Sequence, residues 1–187
     1  MHTFFAEETI SYDGSQLSSL WAFKRFCLQG DSIVAFRGPC RVKGNSLVDI
    51  ADRLQGFYIY SPDMLHFIIE HFESDLERAV LRQRLLSALV KDILEEASPE
   101  RLKRRGDDLY ANERKLSVSI ATITPVSTMV HFGINVRTEG VPVPAAGLLE
   151  LSWPEGRIPE LTGRVLSAYS GEMKGVDLAR CKVRGVT

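Results

Sequence analysis

The strongest constraint on what this chain can become lies between Lys115 and Val136. Lys115, Ser117 and Ser119 alternate with Leu116, Val118 and Ile120, the two-residue period of a strand with one buried face. The alternation breaks at Thr124-Pro125-Val126-Ser127 and resumes from Met129 to Val136. Proline has no amide hydrogen to give to a ladder, so the break is a turn and the two runs should pair as an antiparallel hairpin. A lone hairpin is barely stable in water, so the rest of the chain has to supply further strands and a cover.

Several segments offer themselves. Residues 1–16 form an extended lead-in that turns at Asp13-Gly14, and Leu17 to Leu28 has apolar residues at helical spacing, ended by Gly30. Asp31–Phe36, Leu47–Ile50 and Phe57–Tyr60 are short strand candidates. Ser61-Pro62-Asp63 has the form of a helix start, followed by an apolar face of Met64, Leu65, Ile68, Ile69 and Phe72. Ser74 and Glu77 form a capping box for a second helix over residues 75–97, with a broad apolar stripe suited to lying on a sheet. Ser98-Pro99-Glu100 opens a third helix, short and basic, stopped by Gly106. Between Gly140 and Gly156 proline and glycine are frequent, and Leu148, Leu149 and Leu151 suggest one short strand. A last helix is expected over residues 158–179, interrupted at Gly171 or Gly175, with an edge strand in the tail. Helices and strands are interspersed and at least one hairpin is antiparallel. The expected class is α+β: a mixed, largely antiparallel sheet covered by helices, in a single domain over residues 1–187.

Composition narrows the function classes. A net charge of -1 argues against a nucleic-acid protein that works by neutralising phosphates. The three cysteines, Cys27, Cys40 and Cys181, are far apart and form no metal-binding spacing, which favours free thiols in a reducing compartment and no metal centre. The start of the chain lacks a basic, apolar leader, and no apolar run is long enough for a membrane span. The expected location is the cytoplasm.

The residues that could carry chemistry cluster near the hairpin. A lysine at the start of a half-buried strand, Lys115, needs either solvent or an anion: a phosphate, an acyl carboxylate or a carbonyl developing negative charge. The paired carboxylates of Asp107 and Asp108 would face opposite ways on a strand, so one of them can reach that lysine; an ordinary ion pair is the simplest outcome. Arg37-Gly38-Pro39-Cys40-Arg41 looks like a tight turn with exposed backbone donors, flanked by Arg37, Arg41 and Lys43, and so either an anion-binding loop or a basic surface turn. His66 and Glu70 have a helical spacing compatible with sharing a metal, but no further ligand is evident. Cys40 sits beside basic residues that would lower its pKa, or else is an idle buried thiol.

The wording of these stretches adds a resemblance. Arg105-Gly106-Asp107-Asp108-Leu109-Tyr110, then Lys115-Leu116-Ser117-Val118-Ser119, then Gly133-Ile134-Asn135 resembles the catalytic signature of the biotin- and lipoate-protein ligases. Ala35 to Arg41 resembles the Tyr-His-Gly-Pro-Gly-Gln loop of the related octanoyltransferases. The chain is also similar to an uncharacterised prokaryotic family sharing FRGPC, SPDMLHFIIEHF, LRQRLL and GDDLY…KLSVSIAT…HFGIN. That family is grouped structurally with those ligases and the class II aminoacyl-tRNA synthetases. The resemblance implies that Lys115 contacts an acyl carboxylate and its adenylate, and that Asp108 lies near the nucleotide or its metal. It implies that Asn135 shapes the nucleotide pocket and that Arg37, Gly38 and Arg41 close over the ligand. The implied cofactors are ATP and Mg. The implied partners are a small carboxylic acid or nucleotide and an acceptor not identifiable from the chain, with a homodimer left open.

Three departures bear on the reaction. Val118 stands where the ligases have glycine, which narrows the approach to the backbone. Asp107 replaces their asparagine. Pro144-Ala145-Ala146-Gly147 stands where the octanoyltransferases place a nucleophilic cysteine, so transfer through a thioester would need another thiol. The expected function is binding of a small carboxylic acid, with activation or transfer as an acyl-adenylate, the alternative being a pocket that binds without turnover.

Overall fold

The structure is a computed structural model that describes residues 1–151 and 153–186. In chain order its strands are β1 (His2–Thr9), β2 (Ser32–Lys43), β3 (Tyr58–His71), β4 (Leu102–Arg105), β5 (Asp108–Ala111), β6 (Arg114–Lys115), β7 (Ser117–Ile123) and β8 (Thr128–Arg137). The helices are α1 (Trp21–Phe26), α2 (Ile50–Leu54), α3 (Leu76–Glu96) and α4 (Ile158–Arg180). Five strands form the main sheet in the order β1-β2-β3-β8-β7, and β4-β5-β6 form a small second sheet. Only the β1–β2 pair is parallel; the other pairs are antiparallel. This is the mixed, largely antiparallel α+β arrangement that the sequence pattern predicts.

The hairpin lies where the alternation places it. β7 pairs with β8 from Ser117↔Ile134 to Ile123↔Thr128, and the Thr124 amide donates to the Ser127 carbonyl at 2.7 Å to close the turn.

The predicted helix at 61–72 is a strand instead. β3 runs unbroken from Tyr58 to His71, and every residue from Met64 to His71 is buried. Both of its faces are covered, so the polar/apolar alternation that marks a strand is erased, and an apolar run of this length fits a buried helix equally well. Pro62 does not start a helix. It lies between Ser61 and Met64, where the pairing of β3 with β2 slips opposite Pro39, and next to the slip against β8 between Asp63 and Met64. Prolines are tolerated at such bulges, which bend the strands locally. The predicted Arg37–Arg41 loop is therefore a kinked stretch of β2.

Other expectations also give way. The basic segment expected as a third helix is β4, whose Arg104 pairs in register with Leu109 and Arg105 with Asp108. The predicted strand over 47–50 leads into α2, capped by the Asp49 carboxylate on the amides of Ala51 and Asp52. α3 is capped by Asp75, which accepts from the Arg78 amide at 2.9 Å, one residue beyond the predicted Ser74. Leu148–Glu150 is a single turn of 3-10 helix, α4 continues through Gly171 and Gly175, and residues 181–186 form no strand.

The two faces of the sheet are covered differently. On one, Ile33, Phe67 and Phe132 pack under α3 and α4 with Leu86, Trp153 and Tyr169, all fully buried. Each such side chain contributes roughly 1.5–3 kcal/mol by leaving water. On the other face, Phe36, Met64, Ile68 and Met129 are covered by the irregular chain that follows β1, through Ile10 and Tyr12, and by Leu47 from the segment after β2. The chain after β1 lies against β2: Ile10 donates to the Arg37 carbonyl at 3.0 Å, and Tyr12 donates to that of Pro39 at 2.9 Å. Gly38 permits the approach, since a Cβ there would come within 2.2 Å of the Ile10 oxygen.

Candidate functional site

Lys115 ends β6, with Leu116 between it and β7, and its backbone is held by three hydrogen bonds. Its amide donates to Pro144 O at 2.8 Å, and its carbonyl accepts from the Ala146 amide at 3.0 Å and from Asn135 Nδ2 at 3.3 Å. The segment Pro144–Ala146 therefore lies directly beside the lysine, and it contributes no thiol. The Lys115 ammonium meets Asp108 Oδ2 at 2.7 Å, while Asp108 Oδ1 is buried without a partner. Burial alone would depress the lysine, but Asp108 opposite it, with Tyr110 and Asp107 further off, outweighs that and holds it above its ordinary value. Burial pushes the Asp108 carboxyl up; Lys115 pulls it back only in part, and Asp107 and Asp52 add to the rise. The two neighbouring carboxylates do face apart. Asp107 accepts from Gln83 Nε2 of α3 at 2.7 Å, and the same nitrogen donates to Ser119 Oγ at 2.8 Å, tying the turn and β7 to that helix.

Above Lys115 opens a cavity of about 370 Å³. Its walls are mostly apolar. Phe57 to Tyr60 and Met64 come from the start of β3 and the residue before it, Val118 and Asn135 from the hairpin, and Val141 to Val143 from the loop after β8. A smaller recess of about 100 Å³ adjoins it, lined by Tyr12, Asp49, Ser119 and His131. Asp52, Ile59, Lys115 and Val118 line both spaces, so Lys115 and Val118 stand at their junction.

Of the residues that the sequence singles out, Lys115, Asp108 and Asn135 meet here. Arg41 is near the rim, its guanidinium 5.3 Å from the Tyr60 ring centroid. Arg37 and Gly38 are elsewhere. Arg37 is engaged by Asp63 at 2.8 and 2.5 Å and by Glu155 at 2.5 Å, and it lines a separate depression with Pro39 and Pro62. Its hydrogen bonds to Asp63 lead the effects that raise its pKa above the usual arginine value. A guanidinium so occupied is not free to close over a ligand at Lys115.

His66 and Glu70 are on β3, not a helix, and do not form a metal pair. Glu70 accepts from the Leu20 amide at 2.8 Å and from Ser127 Oγ at 2.7 Å, and His66 faces another histidine, His131, with Nδ1 to Nε2 at 3.0 Å. Among the described residues no group of three or more histidine, cysteine or acidic side chains is arranged to hold a metal ion. Cys40 is buried, and desolvation pushes its thiol up to about 12, the opposite of the lowered pKa that its basic neighbours suggest. Cys27 and Cys181 are exposed. Dithiobis-nitrobenzoate should therefore titrate two of the three thiols promptly in the native protein and the third only after unfolding; prompt reaction of all three would show Cys40 to be accessible.

Tyr12, Asp52, Tyr60 and His131 were not predicted as site residues. For His131 a signal existed: the two-residue period of β8 puts it on the same face as Gly133 and Asn135. The other three lie in segments with no pattern linking them to the hairpin.

The sheet order, its helical cover and the lysine-bearing hairpin together define the fold of the biotin- and lipoate-protein ligases. The structure aligns with a biotin protein ligase from Aquifex aeolicus in complex with biotin and ATP, at TM-score 0.63 and 19% identity, over 92% of this chain and 70% of that one. It aligns with protein Ta0514 from T. acidophilum with bound lipoic acid at TM-score 0.59 and 13% identity, over 91% and 86% of the two chains. At these identities the likeness establishes the fold alone. The chain belongs to the family described as a domain of unknown function, DUF366, whose pattern matches residues 1–184. The structure is similar to that of a protein of unknown function from Pyrococcus horikoshi, at TM-score 0.94 and 42% identity, with both chains covered completely. The uncharacterized protein MJ0805 of Methanocaldococcus jannaschii is 41% identical over 145 residues, which is 75% of this chain and 65% of that relative's length. No helix among the described residues is long and apolar enough to cross a membrane.

Proposed function

We propose that this chain binds a small carboxylic acid, with the carboxylate on Lys115 and an apolar body in the cavity above it, and activates it as an acyl-adenylate. The observation that carries this reading is the Lys115 ammonium, placed by a backbone anchored through three hydrogen bonds and held by Asp108, at the floor of a largely apolar cavity. A positively charged donor placed there can meet a carboxylate and stabilise charge developing on it. Activation needs ATP, whose α-phosphorus is attacked by a carboxylate oxygen as pyrophosphate leaves. A structural neighbour with biotin and ATP bound supports that chemistry on this fold. The residues at the site fit magnesium only as a companion of the phosphates: Asp52 and Asp108 are the carboxylates near enough to face it, and the ion would neutralise phosphate charge.

A second reading, a binding protein without turnover, is favoured by one observation. Among the described residues Lys115 is the one cation lining the cavity, and it already pairs with Asp108. An acceptor protein, cytoplasmic location and self-association belong to the same proposal and await the ligand.

Exchange of labelled pyrophosphate into ATP, measured against a panel of carboxylic acids, separates the two. Exchange that disappears in Lys115→Ala, with the melting temperature retained, supports activation. Acid bound tightly with no exchange supports the second reading, and Lys115→Ala should then weaken it about 10- to 100-fold, the scale of a hydrogen bond to a charged group. Affinity unchanged in that variant sinks both.

A further inference from the structure

The recess next to Lys115 carries more information than its size suggests, because the proton positions in it are fixed. His66 Nε2 lies 3.2 Å from the Gly38 carbonyl oxygen. A carbonyl only accepts, so this nitrogen bears the hydrogen and His66 Nδ1 is left as an acceptor. His131 Nε2, 3.0 Å from that acceptor, must then be the donor. Both rings are buried, which keeps them neutral. His131 Nδ1 is thereby a lone-pair acceptor, and no described residue donates to it. His131 is 3% exposed and lines the recess, with Tyr12 stacked on its ring at 3.7 Å. An acceptor left open in this way can take a donor from a ligand or from water.

Charge points the same way. Asp49 and Asp52 line the recess and Asp108 holds Lys115, so carboxylates outnumber the single ammonium. A ligand that brings only a carboxylate adds another negative charge to this corner. One that also brings a positive donor does not.

The junction fixes how such groups must be spaced. A carboxylate on Lys115 has its adjacent carbon where the recess and the cavity meet. One substituent on that carbon can enter the recess and the other the apolar cavity. The recess, about 100 Å³, is the smaller of the two spaces and suits the smaller substituent. We propose that the acid taken by this site is an α-amino acid with an apolar side chain. Its carboxylate meets Lys115, its ammonium enters the recess between His131 Nδ1 and Asp52, and its side chain lies among Phe57, Tyr60 and Val143. The proposal rests on the small-acid reading above and specifies the acid.

Calorimetric titration of the whole protein with matched probes tests it: phenylalanine against 3-phenylpropanoic acid, and leucine against 4-methylpentanoic acid. The expected result is that at least one amino acid binds about 10-fold or more tightly than its deamino partner, the scale of a charge-assisted hydrogen bond. Asp52→Asn, a half-buried position on the short α2, should shrink that advantage several-fold, weakening the amino acid and, with one negative charge gone, tightening the deamino acid. A deamino acid that binds as tightly as its amino acid overturns the α-amino assignment and leaves the small-acid reading standing. If no acid of either kind binds, the small-acid reading falls and this one with it.

Discussion

Between pH 7 and pH 5 the protein should lose roughly 4 kcal/mol of stability through two side chains, His66 and His131. Burial lowers the His66 pKa to about 3, and burial, with His66 beside it, drives that of His131 well below the ordinary value. In the unfolded chain both return to about 6.5. A histidine that stays neutral when folded takes up a proton only on unfolding. Its contribution is therefore intact above the unfolded pKa and is lost as pH falls from about 6.5 toward the folded pKa. Over the interval from pH 7 to pH 5 each ring accounts for about 2 kcal/mol. Urea midpoints measured at half-unit steps across this range would show the decline, and His66→Leu should roughly halve the slope. A flat profile over the same range would mean that the pair is solvated, and the proton assignment in the recess would fail with it.

A comparably large effect is expected from one added methyl group. In Gly38→Ala the new carbon would lie 2.2 Å from the Ile10 oxygen and 2.8 Å from its carbonyl carbon. Both are backbone atoms, so no side chain can swing aside. The chain after β1 would have to lift from β2, breaking the Ile10 and Tyr12 hydrogen bonds and uncovering Phe36 and Met64. Overpacking of this kind costs about 3 kcal/mol. Gly163→Ala in α4 is the control: nothing lies within 4 Å of the added carbon, and the exchange should stabilise the helix by about 0.5–1 kcal/mol. Denaturant titration of the two variants gives the comparison directly, and equal stabilities would show that Ile10 does not pass over Gly38.

How much of this could be read from the chain depends on where each residue sits relative to solvent. The β7–β8 hairpin was legible because serines alternate with apolar residues along β7 and Pro125 marks its turn, although burial does not alternate with them: Ser117 is buried, and Val118, Ser119 and Ile120 are all half-buried. β3 was not, since covering both faces replaced alternation with an unbroken apolar run, and Ser61-Pro62-Asp63 imitated a helix start at what is a bulge. β4 was hidden for the opposite reason: Lys103, Arg104 and Arg105 are exposed edge residues whose basic character matches a solvated helix face equally well. At the site, Lys115, Asp108 and Asn135 were found through motif resemblance, and they do converge. Arg37 was misplaced because its partners, Asp63 and Glu155, are 26 and 118 positions away and leave no trace beside it in the sequence. Tyr12 and Asp52 escaped notice for the same reason.

The cavity and recess draw on stretches from nearly the whole length of the polypeptide: Tyr12, Asp52, Tyr60, Lys115, His131 and Val143. No fragment holding only some of these can offer a guest the complete enclosure, so occupancy and global folding are one thermodynamic event. Whatever settles there tightens the entire molecule by RT ln(1 + [L]/Kd). Its discovery therefore does not depend on guessing a reaction first, because a shift in melting temperature across a metabolite library would report the right compound whether or not it is ever turned over.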